Sequence, residues 1–223
     1  FGARDYTELF CERLRFELIH AATGLEIAAP VHLERERPEF PFELAARGEL
    51  PSALRFPHPF ASRRGDYLVV PMNEGVSYPV EDISIAPFSL IAYGGHGLCM
   101  AFWGATDGAQ GHLAMIETPD DASIRIERHE GLLHIRPQWD AQRGQFGYAR
   151  RLRYVFFAQG GHVALAKRYR AHAHASGLLK TLEQKRRENP NVDRLVGAVN
   201  IWCWDRDAVP LVQELQAAGL ERI

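Results

Sequence analysis

The sequence predicts a mainly β chain: an antiparallel β-sandwich over residues 1–157, a helical linker over 158–194, and the first strand and helix of a parallel α/β domain over 195–223. Three observations predict it. From Asp66 to Phe157, short apolar or alternating runs recur every 8–12 residues or so, with turn residues between them. After Gly160-Gly161 the period changes to three and four, with Leu165, Ala166, Tyr169 and Ala173 on one helical face. Leu195–Trp202 is then almost continuously apolar, as a strand buried on both faces should be, and an amphipathic run follows it.

Arg13–His20 alternates charged and apolar side chains, the period of a half-buried strand, and Leu25–Leu33 reads similarly with a break at Pro30. Residues 38–59 contain five prolines: Pro38, Pro41, Pro51, Pro57 and Pro59. Each lacks a backbone donor, so edges and loops are expected there, not a central strand. Tyr67–Val70 is a strand stopped by Pro71. Phe88–Tyr93 and Leu98–Trp103 flank Gly94-Gly95-His96-Gly97 and read as a hairpin. Strands are expected at His112–Glu117, Ser123–Glu127, Leu132–Arg136 and Arg151–Phe157, with Thr118-Pro119-Asp120-Asp121 as a turn. His162–Ser176 is a helix that Gly177 can close, and Thr181 with Gln184 forms a capping box for a second helix ending before Pro190. After Leu195–Trp202, Asp205 or Asp207 can cap a helix carrying Val209, Val212 and Leu215, which Gly219 ends.

Apolar residues make up 46% of the 223 and charged residues 24%, a globular balance; the net charge of −2 leaves no basic footprint for nucleic acid or an anionic membrane. No apolar run approaches the ~20 residues that a membrane-spanning helix needs. Cys11, Cys99 and Cys203 are too few and too scattered for a disulfide framework or a paired metal site. His172 and His174 stand two apart and so leave different faces of their helix; no cofactor is implied. The chain opens on Phe1 and stops where a strand would begin after Gly219, so it reads as part of a longer frame, and its compartment stays open.

The candidate site is Trp202-Cys203-Trp204-Asp205, just past the expected strand. In (β/α) barrels that end of each strand faces the active site. A flat indole covers the apolar C–H face of a sugar, and a carboxylate accepts hydrogen bonds from its hydroxyls. Trp202, Trp204 and Asp205 are therefore the expected substrate-binding residues; the alternative is that the indoles pack a barrel rim and the carboxylate only caps a helix. Glycoside hydrolysis uses two carboxylates, and barrels of ~200 residues or more take them from later strands, so the catalytic pair is expected to be absent here and the chain inactive alone. Asn73 and Glu74 form a loop that could reach a neighbouring domain, or a simple turn. A non-catalytic carbohydrate-binding or structural sandwich is the rival, and it asks for an exposed aromatic platform near Trp103 or Trp139.

Four stretches in order carry a resemblance: Leu54–Tyr78, Met115–Ala122, Val163–Leu178 and Leu195–Asp205. Together they resemble the glycoside hydrolases related to endo-α-N-acetylgalactosaminidases, and Trp202-Cys203-Trp204-Asp205 is similar to the first-strand motif of α-galactosidase-like barrels. That resemblance implies a galactose-mutarotase-like supersandwich packed on a (β/α)8 barrel, here truncated after its first βα unit. It also implies cleavage of α-linked glycans by two barrel carboxylates, with a carbohydrate substrate and the remainder of the barrel as partners.

Overall fold

The computed structural model describes residues 2–4, 13–50, 52–92, 97–141, 144–204 and 206–220. They form two compact units, Phe1–Tyr169 and Arg170–Ile223. The first holds strands β1 (Gly2–Arg4), β2 (Arg13–Ile19), β3 (Glu26–His32), β4 (Glu39–Leu44), β5 (Tyr67–Val70), β6 (Val76–Pro79), β7 (Phe88–Ile91), β8 (Phe102–Thr106), β9 (Gly111–Ile116), β10 (Ala122–His129), β11 (Leu132–Trp139) and β12 (Arg150–Phe157), and the start of helix α1 (Gly161–Ala175). The second holds α2 (Leu182–Glu188), a 3-10 helix at Pro190–Arg194, and α3 (Val209–Ala217).

The strands make a mainly β, antiparallel two-sheet fold: nine strands in the order β1-β2-β3-β4-β12-β9-β8-β5-β6, and three in the order β11-β10-β7. Alternation decides which side chains meet between the sheets. Trp103, Ala105, His112, Ala114, Tyr154 and Phe156 point inward from the middle of the large sheet, because Trp103 stands opposite Ala114, Ala105 opposite His112, and Tyr154 opposite Ala114. Ile124, Ile126, Leu133 and Ile135 close the core from the small sheet. The alternate residues Phe102, Leu113, Met115 and Val155 point outward and are also buried, under Leu165 and Tyr169 of α1. That double cover explains why β8 is buried without a break.

Gly104 makes the cover possible. A Cβ there would stand 2.1 Å from Leu165 Cδ2 and 2.5 Å from the His112 carbonyl oxygen. At the helix start, the Gly161 amide donates to Ala109 O at 2.8 Å, with φ of 49° and no room for a side chain against Gly108. Arg168 then clamps the helix to β4: Nε and Nη2 each donate to the buried Glu39 at 2.7 Å, a bidentate fork. Of the face expected from sequence, Leu165 and Tyr169 pack as read, whereas Ala166 is exposed.

Two expectations for the sandwich are corrected. Phe88–Tyr93 and Leu98–Trp103 are not a hairpin: β7 joins β10 in the small sheet, while the next strand begins only at Phe102 and joins β5 and β9 in the large one. The connection passes between sheets, and of the Gly-rich turn only Gly97 is among the described residues. The proline-rich stretch does contain an interior strand, β4, between β3 and β12. The Ala28–Ala45 pair exchanges both hydrogen bonds, so by parity Pro30 and Pro41 are residues whose amides would face across the β3–β4 gap. The missing donors fall on one side only. The ladder there shrinks to isolated pairs such as Val31 with Phe42, while β4 keeps a full six-residue register with β12.

In the second unit, the capping box at Thr181 and Gln184 is present in both directions, at 3.2 and 2.7 Å. Asp207 Oδ1 accepts from the Val209 amide at 3.0 Å at the start of α3, and Gly219 follows the helix with φ of 88°. Leu195–Trp202 differs from expectation: it pairs with no strand among the described residues, turns at Gly197 with φ of 75°, and is largely exposed. A parallel strand draws its backbone partners from neighbouring strands, and the described residues provide none here.

Candidate functional site

Trp202 and Trp204 lie in the irregular segment between the 3-10 helix and α3. They are 77% and 86% exposed, unusually open for indoles. Residues two apart in an extended chain share a face, and these rings come together on it, with centroids 6.4 Å apart and planes 32° from parallel. The pair presents a broad, tilted aromatic surface to solvent. Asp205 lies outside the described residues.

Other aromatic and acidic residues have structural employment. Trp103 and Trp139 are 2% and 1% exposed, so neither is an aromatic platform; Trp139 Nε1 donates to Phe56 O at 2.7 Å within the core. Asp121 Oδ2 accepts from Tyr148 Oη and from Arg150 Nη2, both at 3.0 Å, anchoring a guanidinium that lies 3.3 Å from the Tyr148 ring. Burial, then the hydrogen bond to Asp121, raises the Tyr148 phenol to about 12. Glu117 pairs with Arg153 at 2.7 Å. Asn73, at φ of 52°, and Glu74 form the tight turn from β5 to β6, closed by the Gly75 amide on Met72 O at 2.9 Å.

The sandwich also opens a cleft of about 480 Å³ at the β8–β9 end of the large sheet, which the sequence did not signal. Phe60 and Asp66 from the segment before β5 form one wall with Arg63, Asp107 and Gln110 from the hairpin turn form another, and His112 lies at the base. Phe60 packs edge-on to Tyr154 at 4.8 Å and to His112 at 5.1 Å, yet stays 39% exposed. Burial pushes the His112 imidazole down to about 4, against the opposing pull of Asp66, so it is neutral at neutral pH. The sequence marks His112 only as the start of a strand, because the partners that enclose it come from residues 60–66 and 154–156.

No protein-family model matches the sequence, and no curated protein sequence matches it. The fold does have solved relatives. The alpha-N-acetylgalactosaminidase NagBb from Bifidobacterium bifidum, in complex with GalNAc, superposes with a TM-score of 0.74 at 17% identity, covering 98% of this chain and 41% of that chain. Its quadruple mutant gives a TM-score of 0.75 at 19% identity over the same shares. This chain thus spans about 41% of the enzyme's length and shares its fold there. A galactose mutarotase related enzyme from Lactobacillus acidophilus, at 10% identity and a TM-score of 0.39 over 71% of each chain, is too distant to bear on the argument.

Proposed function

We propose that the chain is part of a glycoside hydrolase acting on α-linked glycans, with the sandwich supporting a (β/α)8 barrel whose first βα unit is residues 195–223 and whose catalytic carboxylates lie outside these residues. The observation that carries this reading is the superposition of almost the whole chain on two-fifths of an alpha-N-acetylgalactosaminidase. The exposed indole pair supports it further, since aromatic rings left open to water are typical of sites that another body covers. In this reading Trp202 and Trp204 stack on the C–H faces of the substrate, Asp205 accepts from its hydroxyls, and Leu195–Trp202 becomes a strand once barrel neighbours supply backbone partners. The rival, a non-catalytic carbohydrate-binding or structural sandwich, loses the platform it called for at Trp103 and Trp139.

The test uses the longer protein and an aryl α-N-acetylgalactosaminide. Trp202→Ala and Trp204→Ala should each lower kcat/KM about tenfold or more, near 1.4 kcal/mol of transition-state binding, and Asp205→Asn should do likewise. Hydrolysis indifferent to all three, or absent with every α-linked glycoside tried, would count against it.

A further inference from the structure

Beyond that reading, we propose that the cleft bounded by Phe60, Arg63, Asp66, Asp107, Gln110 and His112 is a second ligand site, built from other residues than the indole pair, for a neutral polyhydroxylated molecule the size of one sugar residue.

Four observations lead there. The volume, about 480 Å³, falls in the range of small-molecule sites. Its polar groups are uncommitted. Among the described residues nothing hydrogen-bonds the His112 ring nitrogens, the Gln110 side-chain amide or the Arg63 guanidinium. Asp66 uses Oδ2 for the Arg63 amide at 2.8 Å, and Asp107 uses Oδ1 for the Ala109 and Gln110 amides at 2.8 and 2.9 Å; each has its second oxygen to spare. The aromatic cluster leaves Phe60 as an open apolar wall although every neighbouring ring packs inward.

The chemistry of the lining selects the ligand. An anion meets two carboxylates, and a cation meets Arg63. An apolar molecule would bury carboxylates and a guanidinium without partners, which is costly. A polyol satisfies both kinds of group: its hydroxyls donate to Asp66 and Asp107 and accept from Arg63. The neutral imidazole offers one donor and one acceptor, and so does the Gln110 amide, with its second donor besides. The C–H face of a pyranose lies against Phe60 as it would against any aromatic ring.

The experiment titrates the 223-residue chain with galactose, N-acetylgalactosamine and glucuronate while following the imidazole resonances of His112 and the indole resonances of Trp202 and Trp204. Neutral hexoses should move His112 at millimolar concentration, and glucuronate should move it less. His112→Phe keeps the ring and removes the nitrogens, and should weaken binding about tenfold, read on the backbone amide resonances of Gln110 and Gly111 because the imidazole probe is gone. Gln110→Ala touches an exposed side chain with no contact to lose, so it cannot fail by misfolding, and it should weaken binding several-fold. Trp202→Ala should leave the His112 response unchanged. A His112 resonance that stays still through the titration overturns the site, as does a response that survives both cleft variants intact. Shifts confined to the indoles overturn it too, while leaving the proposed enzyme function standing.

Discussion

Glu39 and His112 respond to acid for opposite reasons. Burial pushes the Glu39 carboxyl up, but the fork from Arg168, helped by the charges of Arg168, Arg153 and Arg37, outweighs burial and holds it below the ordinary range. The stability this adds is present above about 4.5, the usual glutamate value, and is lost as pH falls through the lower folded value. His112 has its folded pKa depressed from 6.5 to about 4 by burial, so the unfolded chain binds the extra proton first. Its contribution is whole above about 6.5 and drains away as pH falls toward 4, worth at most about 3 kcal/mol. Acid should therefore weaken the sandwich in two stages, with His112 first. His112→Phe should flatten the dependence of the urea midpoint between about pH 6.5 and pH 4 while leaving the loss below that range. A slope identical to the parent's across that interval would show that the imidazole is not protected.

At the scale of elements, α1 lies against a sheet whose surface is shaped to receive it. Gly104 is the tightest point, and the obstruction around it is of two kinds. Leu165 Cδ2 belongs to a side chain that can turn away, but the His112 carbonyl oxygen at 2.5 Å belongs to the sheet itself. Gly104→Ala should thus cost about 1–3 kcal/mol in chemical denaturation, and Leu165→Ala added to it should recover only part, because the backbone obstruction remains. Full recovery would locate the whole strain in the leucine. These elements also show what was legible in the sequence. Alternation in Arg13–His20 and Ser123–Glu127 placed β2 and β10; β10 is half open to water as read, whereas Leu14 and Phe16 of β2 are themselves exposed. Phe40, Phe42 and Leu44 alternate just as clearly, but Pro41 between them argued against an interior strand. That rule holds per edge of a strand, and here only one edge lost its donor. The partner of β7 was not legible because short-range pattern says nothing of which sheet a strand enters.

At the scale of the molecule, the two units contrast in how much they bury. The sandwich encloses a continuous core from Leu18 to Tyr154, whereas α2, the 3-10 helix and α3 contain no buried residue. Backbone with few buried contacts opens at low free energy. Trypsin should cut the isolated chain at Lys185, Arg186, Arg187 or Arg194 well before any site in β2–β12, and in the longer protein the same bonds should be protected if barrel strands cover them. Equal rates in both settings would mean that nothing packs there. The candidate residues were legible because aromatic and acidic side chains cluster in four consecutive positions. Their setting was not, since a strand's hydrogen bonds belong to its neighbours and not to its own letters. The place of β4 in the sheet also sets an order of assembly. Its full ladder is with β12, so Glu43 waits for Arg151, 108 residues later in synthesis. During translation the first three strands and β4 emerge as a patch with a bare rim, and the large sheet zips shut only when the last strand clears the ribosome. Such late closure makes for slow maturation and an interval of vulnerability to association between nascent chains.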